Sequence, residues 1–182
     1  MPPSDPFATF RLDGRTALVT GARREIGRAI ALALAGAGAR LAVHHAGSAE
    51  EARDAEAVVT EIRAGGGEAE AFAQDFAEDE AGVALARAVQ AWAPVDILVL
   101  NASIELVEPY TAITRERFDR QIAVNLRTTL ELLQALVPPM AERGWGRVMT
   151  IGSVQQELPH PEMLVYAGTK AAQFNWVLNL AR

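Results

Sequence analysis

A chain of 182 residues, half of them apolar, is long enough for one full-sized core and short for two. A net charge of −6 and a pI near 5.1 argue against nucleic acid as the main partner. The lack of cysteine excludes disulfides and thiol chemistry, and no run approaches the roughly eighteen uninterrupted apolar residues that span a membrane.

The opening Met-Pro-Pro-Ser-Asp-Pro lacks the basic and apolar regions of a signal peptide. It reads as part of a disordered arm over residues 1–11 of a cytoplasmic protein. Residues 12–182 then form a single domain. Arg15 to Val19 is a short apolar run, a buried first strand, followed by the turn Thr20-Gly21-Ala22-Arg23-Arg24-Glu25-Ile26-Gly27. Helical spacing runs from Ile26 to Ala37 and is closed by glycines. Leu41-Ala42-Val43 is the second strand, with His44-His45-Ala46-Gly47 after it. Ser48 and Glu51 stand at capping-box spacing for a helix to about Ala64. Glu68 to Ala73 alternates and reads as the third strand. A helix is expected from about Glu78 to Ala93, and Asp96 to Leu100 is the fourth strand. A long helical region covers Arg115 to Glu142, Arg147 to Ile151 is the fifth strand, and helical spacing resumes near Leu164.

Strands alternating with helices predict an α/β fold, a Rossmann-type doubly wound parallel sheet with helices on both faces. Ligands of such sheets sit beyond the carboxyl ends of the strands. The polar tails collect there: Gly21 to Gly27, His44 to Ser48, Asp75, Asn101 to Ser103, and Gly152-Ser153. The first turn joins a strand to a helix whose N-terminal N–H groups suit a pyrophosphate. Gly21 permits a sharp turn and Gly27 a close approach of helix to sheet. Further on, Tyr166 and Lys170 lie four residues apart, one turn along one helix face. Lys170 is the only lysine; the remaining 16 of the 17 basic residues are arginines. A phenol is a poor acid at neutral pH, and an ammonium close to one favours the phenolate. Such a pair can pass a proton to a carbonyl oxygen or take one from an alcohol.

These motifs, in this order, resemble the short-chain dehydrogenase/reductase family. That family has a Thr-Gly-x-x-x-Gly-x-Gly turn, an Asn-Asn-Ala-Gly stretch after the fourth strand, and an Asn–Ser–Tyr–Lys set. The resemblance implies Tyr166 as general acid/base, Lys170 beside it and on the nicotinamide ribose, Ser153 polarising the substrate carbonyl, and Asn125 anchoring a water. It implies cofactor contacts from Gly21, Arg23, Arg24, Ile26, Gly27, His44, His45, Ser48, Asp75, Phe76, Asn101, Ala102 and Ser103, besides Tyr166 and Lys170. Ser153 as a loop cap and Asp75 as a helix cap are the structural alternatives.

Two departures stand out. Glu25 replaces the middle glycine of the turn and places a carboxylate where phosphates are expected. Asn101-Ala102-Ser103 stands for Asn-Ala-Gly. Pteridine reductases within the family share both habits, but many of them replace the serine that this chain keeps as Ser153. Members resembling 3-oxoacyl-carrier-protein reductases, or sugar and polyol dehydrogenases, are the nearer reading. With histidines instead of an acid after the second strand, and arginine suited to a 2′-phosphate, NADP(H) is expected ahead of NAD(H). A small carbonyl or alcohol substrate, no metal, no nucleic acid and no membrane complete the expectation. A non-catalytic dinucleotide-binding sensor is the rival of a different class. Family members pair through their long helices, so a homo-oligomer is implied; Leu130, Leu132, Leu133, Leu136, Phe174, Trp176, Val177 and Leu180 are its apolar candidates. Members also continue well past the catalytic helix. The resemblance therefore implies a truncated chain, with strand five left as an exposed edge and little activity of its own.

Overall fold

The computed structural model describes residues 8–158 and 160–181. The first seven residues of the expected arm lie outside the described residues. Within the rest of it Ala8–Phe10 form a 3-10 turn, and the domain begins at Leu12, whose N–H donates to Ala37 O at 2.8 Å.

Five strands form one parallel sheet: β1 (Thr16–Val19), β2 (Arg40–His45), β3 (Ala69–Ala73), β4 (Ile97–Leu100) and β5 (Arg147–Thr150), in the order β3-β2-β1-β4-β5. The winding direction reverses between β1 and β4, which opens a crevice above their carboxyl ends. Helices α1 (Glu25–Gly36) and α2 (Ala49–Ala64) cover one face; α3 (Ala81–Trp92) and α5 (Thr128–Glu142) cover the other. The central strands β1 and β4 are apolar because both of their faces are buried, whereas the edge strands β3 and β5 carry Glu70 and Arg147 in exposed positions. Ala17 and Val19 of β1 pack with Val58, Val59 and Ile62 of α2, while Leu18 between them packs with Leu85 of α3 and Leu132 and Leu136 of α5.

Local chemistry sets the boundaries. The Ser48 hydroxyl accepts from Glu51 N–H and the Glu51 carboxylate accepts from Ser48 N–H, the capping box expected of α2. β2 runs two residues past its apolar core, because His44 and His45 continue the ladder opposite Phe72 and Ala73. α3 starts at Ala81, later than expected, since Glu80 sits in the left-handed region at φ 55°. The long helical region is three pieces: α4 (Arg115–Ile122), a π-helical turn (Ala123–Arg127) and α5. Pro138 and Pro139 are accommodated inside α5 near its end; Ala135 O, which Pro139 cannot serve, accepts from Gln90 Nε2 at 3.4 Å. The last helix, α6 (Leu164–Leu180), packs on β5 and the π turn.

Of the apolar residues expected to serve association, Leu132, Leu133 and Leu136 belong to the core, whereas Leu130, Phe174 and Leu180 are exposed. Among the described residues, no helix is long and apolar enough to cross a membrane.

Candidate active site

The turn after β1 is held from three sides. Thr20 Oγ1 donates to Val99 O at 3.2 Å and accepts from the N–H groups of Asn101 and Ala102, each at 2.9 Å. Asn101 Nδ2 donates to Thr20 O and Gly21 O. Gly21 N–H donates to His44 Nδ1 at 3.0 Å. Gly21 adopts φ +63°, open to glycine, and a Cβ on Gly27 would stand 2.3 Å from Gly21 O. Both glycines are required by this close approach. The first N–H groups of a helix have no partner within it, and no side chain caps α1. They border a cleft of about 860 Å³ that runs from Gly21–Gly27 past Asp75 and Asn101–Ser103 to Tyr166 and Lys170.

The polar residues of this cleft divide by partner. Arg23 pairs with Glu51 at 3.2 Å and with Asp54 at 2.7 Å, so its charge is already met. Arg24 and Glu25 are exposed at the cleft, and among the described residues neither side chain has a hydrogen-bond or ion-pair partner. Glu25 points outward, while Arg28 pairs with Glu61. Glu25 adopts φ 47°, a conformation that favours glycine. Ile26 is 59 % exposed. Ser48 is occupied as a cap. Asp75 Oδ1 accepts from Ala77 N–H at 2.9 Å, closing a turn ahead of α3 without capping the helix itself. Ser103 Oγ is shielded from solvent with no partner among the described residues.

The histidines differ from their expected setting. His44 and His45 are buried, at 2 % and 6 % exposure. The His44 ring stacks on Phe76 with centroids 4.2 Å apart. Burial pushes its pKa down to about 4, against the pull of the Gln74 carbonyl; burial lowers that of His45 too.

At the other end of the cleft, α6 carries Tyr166 and Lys170. Lys170 Nζ lies 5.7 Å from the Tyr166 ring centroid and donates to Ile151 O at 2.9 Å. Lys170 is buried, and desolvation lowers its pKa from 10.5 to about 8. Ser153 is half-buried after β5, and its Oγ accepts from Gln155 N–H at 3.2 Å as the cap of a 3-10 turn. Asn125 sits in the π turn and is fully buried. Its Oδ1 accepts from Ile104 N–H; its Nδ2 donates to Ile104 O and Thr169 Oγ1; its carbonyl accepts from Thr129 Oγ1 and Gln173 Nε2. It therefore ties the loop after β4 to α6. Among the described residues, no group of three His, Cys, Asp or Glu side chains is placed to hold a metal ion.

The donor set fits a dinucleotide: an uncapped helix N-terminus, two obligatory glycines, and a cleft long enough to reach the Tyr166–Lys170 pair. The comparisons with known proteins agree. The sequence model described as short chain dehydrogenase matches residues 15–182. The 3-oxoacyl-[acyl-carrier-protein] reductase FabG of Staphylococcus aureus is 35% identical over 169 residues, covering 92% of this chain and 68% of that protein. The crystal structure of a 3-oxoacyl (acyl-carrier-protein) reductase from Agrobacterium tumefaciens C58 with NADP bound superposes at TM-score 0.92 with 43% identity, covering 100% of this chain and 69% of that one. A 7α-hydroxysteroid dehydrogenase complexed with NADH superposes at 0.86 with 36% identity, over 94% and 66% of the two chains. The chain thus spans about two thirds of the length of the relatives it matches. On motif, fold and likeness together, the chain belongs to the short-chain dehydrogenase/reductase family.

Proposed function

We propose that this chain is the dinucleotide-binding and proton-transfer part of an NADP(H)-dependent oxidoreductase that interconverts a carbonyl and a secondary alcohol. The observation that carries this reading is the single cleft joining the uncapped N-terminus of α1 to Tyr166 and Lys170. Gly21, Gly27 and the N-terminus of α1 would hold the dinucleotide, and the chemistry it would supply is hydride exchange with the carbonyl carbon. The chain's own residues do the rest. Tyr166 gives its hydroxyl proton to the carbonyl oxygen in reduction and takes it back in oxidation. Lys170, held by Ile151 O, offers the remaining N–H donors to a ribose and its charge to the phenolate. The resemblance gives Ser153, next to Gly152 of the cleft lining, the part of second donor to the carbonyl oxygen. Asn125 keeps the β4 loop and α6 in register, so that both walls of the cleft stay aligned.

The preference for NADP(H) over NAD(H) rests on Arg24. Among the described residues its guanidinium has no partner at the cleft, no acidic residue ends β2, and the nearby Glu51 is engaged by Arg23. Arginine suits a 2′-phosphate, and a lone acid there would suit a ribose hydroxyl. A cytoplasmic location, a small carbonyl or alcohol substrate, and a homo-oligomer formed through α4–α5 and α6 belong to the same proposal; exposed Phe118, Leu130, Phe174 and Leu178 support the last of these.

Titration with NADPH and NADH, followed by fluorescence of Trp92, Trp145 and Trp176, is the first test. NADPH is expected to bind more tightly; tighter NADH binding would refute the preference. In the turnover assay, Tyr166→Phe is expected to lower the rate by about 10²–10⁴-fold while leaving NADPH affinity unchanged. A physiological output that survives this substitution would favour the sensor reading.

A further inference from the structure

The family reading counts His44 among the cofactor contacts, but its buried ring is engaged by the protein itself. His44 lies at the carboxyl end of β2, where a valine or isoleucine would satisfy a buried strand. It uses both ring nitrogens instead. Nδ1 stands 3.0 Å from Gly21 N and Nε2 stands 2.9 Å from Gln74 O. A carbonyl oxygen only accepts, so Nε2 carries the proton; Nδ1 is then free to accept from Gly21 N–H. The His44 carbonyl accepts from Ala22 N–H at 3.0 Å as well. The ring is fixed by its stack on Phe76, with planes 11° apart. One residue thus ties the β1 turn to the tail of β3.

We propose that His44, in its neutral Nε2–H form, is a positioning residue for the dinucleotide. It holds Gly21 in its left-handed conformation and so aims the N-terminus of α1 at the pyrophosphate. This rests on the cofactor reading above. An imidazolium cannot serve, because both of its nitrogens donate and Gly21 N–H would face a second donor. The surrounding groups are His45 on the same strand, Glu51 of α2 and Asp75 after β3, with Arg23 of the turn acting on His45. Burial outweighs the two carboxylates and keeps the ring neutral at physiological pH.

The test compares NADPH dissociation constants of wild type, His44→Leu and His44→Asn, with circular dichroism to confirm folding. His44→Leu removes the acceptor but keeps bulk; the expected result is at least a tenfold weaker affinity. His44→Asn restores an oxygen where Nδ1 stands and is expected to bind within threefold of wild type. Wild-type affinity in His44→Leu, or equal losses in both variants, would overturn the proposal. Should His44→Leu not fold, His44→Asn and the nitrogen chemical shifts of the wild-type ring decide. An unprotonated Nδ1 and a slowly exchanging Gly21 amide at neutral pH are expected; an Nδ1–H tautomer overturns the clamp. Failure of the wild type to bind either dinucleotide would instead count against the functional reading, since the tautomer and amide exchange need no ligand.

Discussion

The two ends of the sheet are built differently. Around β1 and β2 the side chains close on themselves, although β3 beyond them is also a sheet edge. β1 and most of β2 are wholly buried, and the turn's polar groups are met by Thr20, His44 and Asn101. On the β5–α6 side the pattern is open. β5 is an edge strand whose residues alternate between exposed and half-buried. Met149, Phe174, Leu178 and Leu180 reach solvent, and the buried Oγ1 of Thr150 has no partner among the described residues. The half around the β1 turn is thus self-supporting, while among the described residues the half that carries Tyr166 and Lys170 leaves large apolar side chains exposed. Affinity for a cofactor and competence for turnover are therefore expected to be separable.

Stability measurements should show this contrast most strongly. Leu132 is fully buried against the sheet, and Leu132→Ala is expected to cost about 2–5 kcal/mol in urea unfolding at constant m-value. Leu178, half exposed on α6, should lose less than about 0.5 kcal/mol on the same change. Comparable losses would break the comparison. The pH profile is the next lever, because Lys170 titrates near 8. The reduction rate is expected to be level below that value and to fall about tenfold per pH unit above it, as the ammonium is lost. Stability moves the other way. Between about 8 and 10.5 the unfolded chain binds more protons at this lysine than the folded chain, so this residue's contribution rises with pH. A rate that climbs to pH 10 would remove Lys170's charge from the chemistry. The smallest effect belongs to Glu25→Gly. Removing a carboxylate beside the phosphates and a left-handed non-glycine residue should tighten NADPH several-fold, by about 1 kcal/mol, with the gain shrinking as salt is raised. Weaker binding would show that Glu25 helps to hold the cofactor.

Much of this architecture was legible in the residues. Strands buried on both faces are short apolar runs, and Ser48 with Glu51 announces a helix start by spacing alone. Tyr166 and Lys170 do share a face of α6. The limits have physical causes as well. His44 and His45 are polar, so the apolar run stops at Val43, although the ladder and the Phe76 stack carry β2 two residues further. Both line the cleft as buried side chains, and the doubly bonded imidazole of His44 is invisible to hydropathy. Glu78-Asp79-Glu80 reads as an acidic first turn, but the left-handed Glu80 postpones α3. Asn125 is one polar residue in a helical stretch, and nothing in its neighbours' periodicity marks a widened turn.

That widened turn has a consequence for how the chain tolerates change in length. A π turn holds one residue more than the α-helical turn it replaces, so Ala123–Arg127 behaves as an insertion accommodated in place. Deleting a single residue there would let α4 and α5 fuse into one regular helix. Because the extra residue is absorbed within the turn, the helices on either side keep their register and Leu132 and Leu136 stay on the sheet. What a regular helix loses is the displaced backbone that sets Asn125 between Ile104 and Thr169. Loss of one residue there should therefore cost the tie between the β4 loop and α6 while sparing the core.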